Sequence, residues 1–527
     1  MTNFNNIQKL SEPTREDGFK LPSINPRPEL FAKKAIEKVA GHSVACATQE
    51  HYRRSSISKS AVLDDFLAGD IEYHECIYDD HFDEALTILK SELNPAERFK
   101  TVHFCGLRFI PFNKSSSPGL PYVNMKEFHE YVKYRFDTGK APNKQLTKSN
   151  GLNIILDKER VKVHQIKEGQ SYYELLPMTR IYARSHLVDK SEEDKVRAVY
   201  ASPMTLQCVE MMLLFPMVNH LMNKEAPFIA WNYATFTGGL HKLQREFRSY
   251  ESFVSFDFSK FDKRIPYSLI DKVHALWKSM YNLGPYYTDD PLYPRPSTDP
   301  IRIERLWTFM NDAIKHGIFV APDGSKYKRR HSGLPSGAYQ TQILGSCANY
   351  LMITSALLAV GLKPNQFKLK ILGDDSCVAM NLPISEVPLL ITKVAEYVST
   401  HFNAIINAKK TTFGLLNYEV SFLSYTMLKG VVKRTRNDLL GKLMYPEDGQ
   451  YQVQKTKSRA LGIMIANLGH CRITHEVCAE ILRTLTHVEY NLDELNYFDQ
   501  ERLAFAMNKF SDRIPDRSEL AKLAFMF

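Results

Sequence analysis

Residues Phe367 to Met380 read FKLKILGDDSCVAM. The segment alternates apolar and polar residues into a Gly-Asp-Asp turn and continues apolar beyond it, the pattern of a β-hairpin with two adjacent carboxylates at its tip. Asp374 and Asp375 repel each other in such a turn, and a protein tolerates that best when a divalent cation neutralises them. A donor set made only of carboxylates suits hard ions such as Mg²⁺ or Mn²⁺. The plain alternative is a solvated turn, because Asp-Asp is common at hairpin tips.

Working outward, Ser252 to Phe258 (SFVSFDF) is rich in aromatic and β-branched residues and reads as a strand that delivers Asp257 at its end. Pro266 then opens a helix, with Leu269, Ile270, Val273, Leu276, Trp277 and Met280 at helical spacing. Asp262 lies five residues past Asp257 and need not point at the same metal. It either hydrogen-bonds a sugar hydroxyl or complements a helix N-terminus.

Between the two acidic elements lies His331 to Tyr350, HSGLPSGAYQTQILGSCANY. Ser336-Gly337 supplies a flexible loop with exposed amides, and the helix after it carries Thr341, Gly345 and Asn349 on one face. Such a face reads ribose hydroxyls, or else it is a capped helix start with small residues at a close packing contact. The preceding Lys326, Lys328, Arg329, Arg330 and His331 form a local positive field suited to phosphates, or an ordinary solvated face.

The whole chain has 527 residues, enough for two to four subdomains with ample core. Its 44% hydrophobic and 24% charged residues exclude a disordered or fibrous protein. Lys and Arg number 68 against 59 Asp and Glu, a net +9 that permits a polyanionic partner without demanding one. Eight cysteines, irregularly spaced, suit a reducing compartment better than a disulfide framework. The start, MTNFNNIQKL, carries neither a signal-peptide core nor a lipidation signal, and the apolar stretch Tyr350 to Leu362 is too short to span a bilayer, so no membrane partner is expected. Two sets, His470, Cys471, His475 and Cys478, and His74, Cys76 and His81, invite a zinc reading, but neither has a closed four-ligand spacing.

Pro13, Pro22, Pro26 and Pro28 make residues 1–60 read as an extended arm, and Gly284 to Pro300 reads as a proline- and tyrosine-rich surface loop. From about Lys455 onward the periodicity is helical.

The ordered set Asp257-x4-Asp262, Ser336-Gly337-x3-Thr341 and Gly373-Asp374-Asp375 resembles motifs A, B and C of viral RNA-dependent RNA polymerases. The wording DFSKFDKRIP, SGLPSGAYQTQ and GDDS is most similar to enzymes of small double-stranded RNA viruses of the partitivirus and picobirnavirus type. SSSPGLPY (115–122) resembles the template-guiding motif G, which implies template contacts at Ser116, Ser117, Pro118 and Gly119. DKVRAVY (194–200) resembles the basic motif F, which implies that Lys195 and Arg197 lie over the triphosphate, with Arg184 a likelier helper than Arg180. IINAKKTTFG (405–414) resembles motif D, whose lysine protonates pyrophosphate; Lys410 fits the spacing after Asn407, with Lys409 as rival. FLSY (422–425) resembles motif E.

The resemblance implies an α/β (α+β) right-hand fold: an arm (1–60), fingers (61–203 and an insertion at 266–329), a palm of antiparallel sheet flanked by helices (204–265 and 330–428) and a mostly helical thumb (429–527). It implies two Mg²⁺ ions, with Mn²⁺ as substitute, on Asp257 and Asp374, tuned by Asp375. Asp262, Ser336, Gly337, Thr341 and Asn349 would hold the nucleotide. RNA template and product, nucleoside triphosphates and capsid protein are the implied partners, in the virion interior or host cytoplasm. Two departures stand out: Gly345 occupies a motif B position that is Asn in picornavirus-like enzymes, with Asn349 one turn later, and Tyr200 occupies a motif F position that is acidic there. Rival readings are a reverse transcriptase, against which the lack of a bulky steric gate at Asp262 speaks, and a noncatalytic RNA-binding or capsid-associated protein.

Overall fold

The computed structural model describes residues 5–14, 18–22, 24–171, 175–224, 227–285, 287–288, 297–447, 452–490, 509–510 and 513–526. Its strands are β1 (Ile7–Ser11), β2 (Tyr52–Arg54), β3 (Thr179–Ser185), β4 (Leu187–Asp189), β5 (Val196–Ala201), β6 (Ser252–Phe256) and β7 (Ile318–Val320). They continue with β8 (Lys326–Arg329), β9 (Phe367–Leu372), β10 (Asp375–Met380), β11 (Thr412–Leu415), β12 (Glu419–Phe422), β13 (Tyr425–Leu428) and β14 (Val431–Lys433). The architecture is mixed α/β, with helices packed around four sheets.

The central sheet runs in the order β11-β6-β10-β9 and is antiparallel throughout. Val254 and Val378, cross-strand partners, belong to the large core shared with helix Thr341–Ala359; Phe253 and Ala379, the next pair, belong to a second core shared with the C-terminal helices. Both faces of this sheet are therefore covered. Leu372 pairs with Asp375, so the hairpin loop is only Gly373-Asp374, and Gly373 takes φ +68°. A left-handed first loop residue is the position where a tight hairpin favours glycine.

The second large sheet runs β1-β8-β7-β3-β5, with only β3 and β7 parallel. It encloses a small aromatic core with helix Lys59–Leu67. β12, β13 and β14 form a three-stranded sheet across the expected boundary at 428/429, and β2 pairs with β4.

Two expectations are revised. Residues 1–60 are not extended throughout, since Leu30–Ala40 and His42–His51 are helices. All four prolines precede Leu30, and the Glu29 carboxylate caps the first helix by accepting from the Ala32 N–H at 2.6 Å. This segment links β1, paired to β8, with the C-terminal helices, through Glu29 N–H to the Met444 carbonyl at 2.8 Å and Lys38 to Glu480 at 2.5 Å. The apolar stretch near Tyr350 belongs to helix Thr341–Ala359, whose 19 residues are long and apolar enough to cross a membrane, but 89% of its apolar window is buried inside the protein. The proline-rich loop lies mostly outside the described residues, and its last member, Pro300, begins helix Pro300–His316 with Asp299 as cap. The helical pattern beyond Lys455 appears as Val453–Ala466, Arg472–Thr484 and Arg517–Leu523.

Candidate active site

Asp257 follows directly on β6, and the pairing of Phe256 with Ser376 sets it beside the Gly-Asp-Asp turn at one end of the sheet. Partial enclosure pushes the Asp375 carboxyl up to about 6, helped by repulsion from Asp374 and Asp257 and opposed by Arg197. The three carboxylates therefore share one electrostatic field. Asn407 N–H donates to the Asp257 carbonyl at 2.7 Å, and Ser259 N–H to the Ile405 carbonyl at 2.8 Å, so the segment carrying Lys409 and Lys410 is stitched to the strand end.

Three cations face these acids. Burial lowers Lys195, as do the charges of Arg197 and Lys410, while Asp257 pulls the other way. The charges of Arg197, Lys410 and Asp257 thus all act on Lys195. Arg184 is placed differently: it pairs in register with Arg197, and its guanidinium is engaged by Glu447 at 2.6 and 3.2 Å.

The small-residue helix face lies under the turn. Gly373 N–H donates to Ser346 Oγ at 2.9 Å, and Asn349 Nδ2 donates to the carbonyls of Gly373 and Asp374 at 3.0 Å each. A Cβ at Gly345 would meet the Gly373 Cα at 3.8 Å. This corrects the expectation for Asn349: it is fully buried and braces the turn from behind instead of presenting its amide to a nucleotide. The Thr341 hydroxyl likewise donates to the Pro335 carbonyl at 2.7 Å, closing the Ser336-Gly337 loop.

Gly337 is required by close approach, since a Cβ there would fall 1.7 Å from the Tyr200 carbonyl oxygen. Gly119, at φ +71°, passes the Ala201 carbonyl, where a Cβ would sit 3.0 Å away. The Ser116–Gly119 and Ser336–Gly337 loops therefore converge on the end of β5. Ser116, Ser117, Ser336 and Gly337, with Lys455 and Arg459, line a cavity of about 1270 Å³, while Pro118 and Gly119 are buried. Asp262 is half-buried; burial raises its carboxyl, with Asp374 among the repelling charges, and its own carbonyl accepts from Leu334 N–H at 2.7 Å.

One support was missed in the sequence. Glu210, fully buried on helix Met204–Asn223, accepts from Tyr339 N–H and Gln340 Nε2 at 2.8 Å each, and Gln340 Oε1 accepts from His274 Nε2 at 2.6 Å. Burial raises Glu210 to about 7 and lowers His274 to about 4, so this chain is a neutral or singly charged polar brace for the start of the motif B-like helix. Its bonded partners are 66 to 130 residues apart, and only a lone acid in an apolar run signals it.

Among the described residues no group of three or more His, Cys, Asp or Glu side chains is closed around a point as a metal cage, the two zinc candidates included. In one of these, His475 Nε2 bonds to the Pro515 carbonyl and Cys478 lies in the core. The Asp257, Asp374 and Asp375 set nonetheless fits a hard divalent cation by its oxygen donors and its mutual repulsion, which Arg197 only partly offsets.

A family profile described as viral RNA-dependent RNA polymerase matches residues 79–484. The chain is 25% identical over 509 residues to the RNA-directed RNA polymerase of White clover cryptic virus 1 (isolate Boccardo/2004), covering 87% of this chain and 80% of that one. It is 24% identical over 433 residues to the RNA-directed RNA polymerase of Atkinsonella hypoxylon virus (isolate 2H), covering 73% of this chain and 64%, just under two thirds, of that one. All three acids and the loops that converge on the end of β5 fall inside the matched span, and the chain belongs to the viral RNA-dependent RNA polymerase family.

Proposed function

We propose that the protein is an RNA-directed RNA polymerase that adds ribonucleotides to an RNA 3′-hydroxyl, transcribing and replicating a viral genome. The observation that carries this is the placement of Asp257, Asp374 and Asp375 on one sheet end, faced by Lys195, Arg197 and Lys410. In this reading the central sheet is the palm, the five-stranded sheet with its neighbours the fingers, and the helices from 429 onward the thumb.

Polymerases of this family use divalent metal ions; here Asp257 and Asp374 would hold two Mg²⁺, or Mn²⁺, with Asp375 tuning the second. When bound, the cations would acidify the 3′-hydroxyl and neutralise charge on the triphosphate. Lys195 and Arg197 bind the triphosphate, and Lys410 gives a proton to the pyrophosphate oxygen as it departs. Arg184 serves the triphosphate only on release from Glu447. Asp262 and Ser336 accept from and orient the ribose, while Asn349 and Ser346 hold the turn on which Asp374 sits. Ser116 and Ser117 steer the template along the cavity, and affinity for it comes from phosphates and falls with salt. The resemblance extends the proposal to capsid protein as partner, in the virion interior or host cytoplasm.

The test is incorporation of labelled nucleotides on single-stranded RNA. Template-dependent incorporation of ribonucleotides in preference to deoxyribonucleotides supports the reading. A preference for deoxyribonucleotides would replace it with a reverse transcriptase.

A further inference from the structure

Arg329 ends β8 with 1% of its surface exposed. Its guanidinium lies 4.9 Å from the ring centre of Phe319, 5.1 Å from that of Tyr200 and 5.5 Å from that of Phe66. Nη2 donates to the Tyr200 hydroxyl at 2.8 Å, and Nη1 is buried with no hydrogen-bond partner among the described residues. A cation enclosed by aromatic faces is held by cation–π attraction, but it still requires some remote negative charge to offset its desolvation.

Asp262 contributes to that charge. Arg329 attracts its carboxylate, and Lys263, the other cation acting on it, is already bonded to Asp65 at 2.5 Å. The same guanidinium packs under the glycine-serine loop. Gly333, at φ +109°, leaves room for it, because a Cβ there would meet Arg329 Cδ and Nη1 at 2.9 Å. Gly333 N–H then donates to the Ile265 carbonyl at 2.9 Å and Leu334 N–H to that of Asp262 at 2.7 Å. Tyr200 is thereby gripped from two sides, its hydroxyl by Arg329 and its carbonyl by the approach of Gly337.

We propose that Arg329 is a positioning residue for sugar selectivity: by locking Tyr200 and the Gly333–Leu334 turn, it places Asp262 and the Ser336–Gly337 loop to recognise the 2′-hydroxyl of the incoming nucleotide. The proposal rests on the polymerase reading. It deepens that reading by assigning discrimination to a residue that touches no substrate. A site that hydrogen-bonds a hydroxyl rejects the analogue lacking it only while its polar groups are held in place.

The experiment compares kcat/KM for a ribonucleotide and its 2′-deoxy counterpart on one RNA template, for wild type, Arg329→Lys, Arg329→Met and Tyr200→Phe, with thermal midpoints alongside. Arg329→Met is expected to lower the ribo-to-deoxy ratio roughly tenfold. Arg329→Lys, which keeps the charge, should lower it less, and Tyr200→Phe, which removes one hydrogen bond, least; in each the ratio falls more than kcat for the ribonucleotide. Should Arg329→Met fail to fold, the other two decide. An unchanged ratio in folded Arg329→Lys and Tyr200→Phe overturns the proposal, reducing Arg329 to a core residue. Failure of wild type to incorporate ribonucleotides would overturn the polymerase reading instead.

Discussion

The carboxylate end of the central sheet and the polar layer behind it solve opposite problems. Asp374 and Asp375 keep solvent contact and repel each other, held by backbone pairing and by a turn bonded to Ser346 and Asn349. Glu210, Gln340, His274 and Arg329 are buried, and each is tied to a polar partner. Repulsion that is only partly offset costs stability and is retained where a cation is to be recruited; buried hydrogen-bonded groups fix positions and carry no chemistry of their own. Substitutions in the first region should therefore abolish turnover with little effect on folding, and substitutions in the second should shift geometry or stability first.

The largest effect is expected from Asp257→Asn. Loss of one charge at the strand end should reduce nucleotide incorporation by roughly a thousandfold or more, since positioning and charge neutralisation supply nearly all of this catalysis. The thermal midpoint should fall little, and Asp375→Asn should be milder in the same assay. Gly337→Ala comes next. Its Cβ would collide with the Tyr200 carbonyl at 1.7 Å, and a loop displacement on the order of 1 Å should cost about a hundredfold in kcat/KM without loss of helical circular dichroism.

Asn349→Ala separates the two regions from the other side. It leaves the carbonyls of Gly373 and Asp374 without their donor, so unfolding should become easier by about 1–3 kcal/mol, read by denaturant titration. Glu210→Gln supplies a pH signature. The folded carboxyl titrates at about 7 against an ordinary 4.5, so the folded protein holds the extra proton between those values. Stability contributed by the neutral form is lost as pH rises through about 7, and Glu210→Gln escapes that loss. Its stability relative to wild type should improve by on the order of 1–3 kcal/mol from pH 5 to pH 8. Arg184→Ala should do least. Its pair with Glu447 is half-exposed, and KM for nucleotide should stay within about twofold.

The first region was legible because its signals are local. A period-two run into Gly-Asp-Asp, an aromatic strand ending in Asp257 and a helix opened by Pro266 each lie within about a dozen residues, and all form as read. Prolines up to Pro28 say nothing of the residues beyond them, where the helix Leu30–Ala40 forms. For Asn349, spacing shows which residues share its helix face but not that the face is covered by a turn 24 residues away. Tyr200 and Arg329 are 129 residues apart, and neither looks unusual until the fold brings β5 and β8 together over Phe66 and Phe319.

The most direct measurement is Mg²⁺-dependent incorporation of labelled ribonucleotides on a single-stranded RNA template, wild type against Asp374→Ala, with RNA affinity measured on both. The account predicts template-length product from wild type, none from Asp374→Ala, and equal RNA binding. Full activity in Asp374→Ala would contradict it.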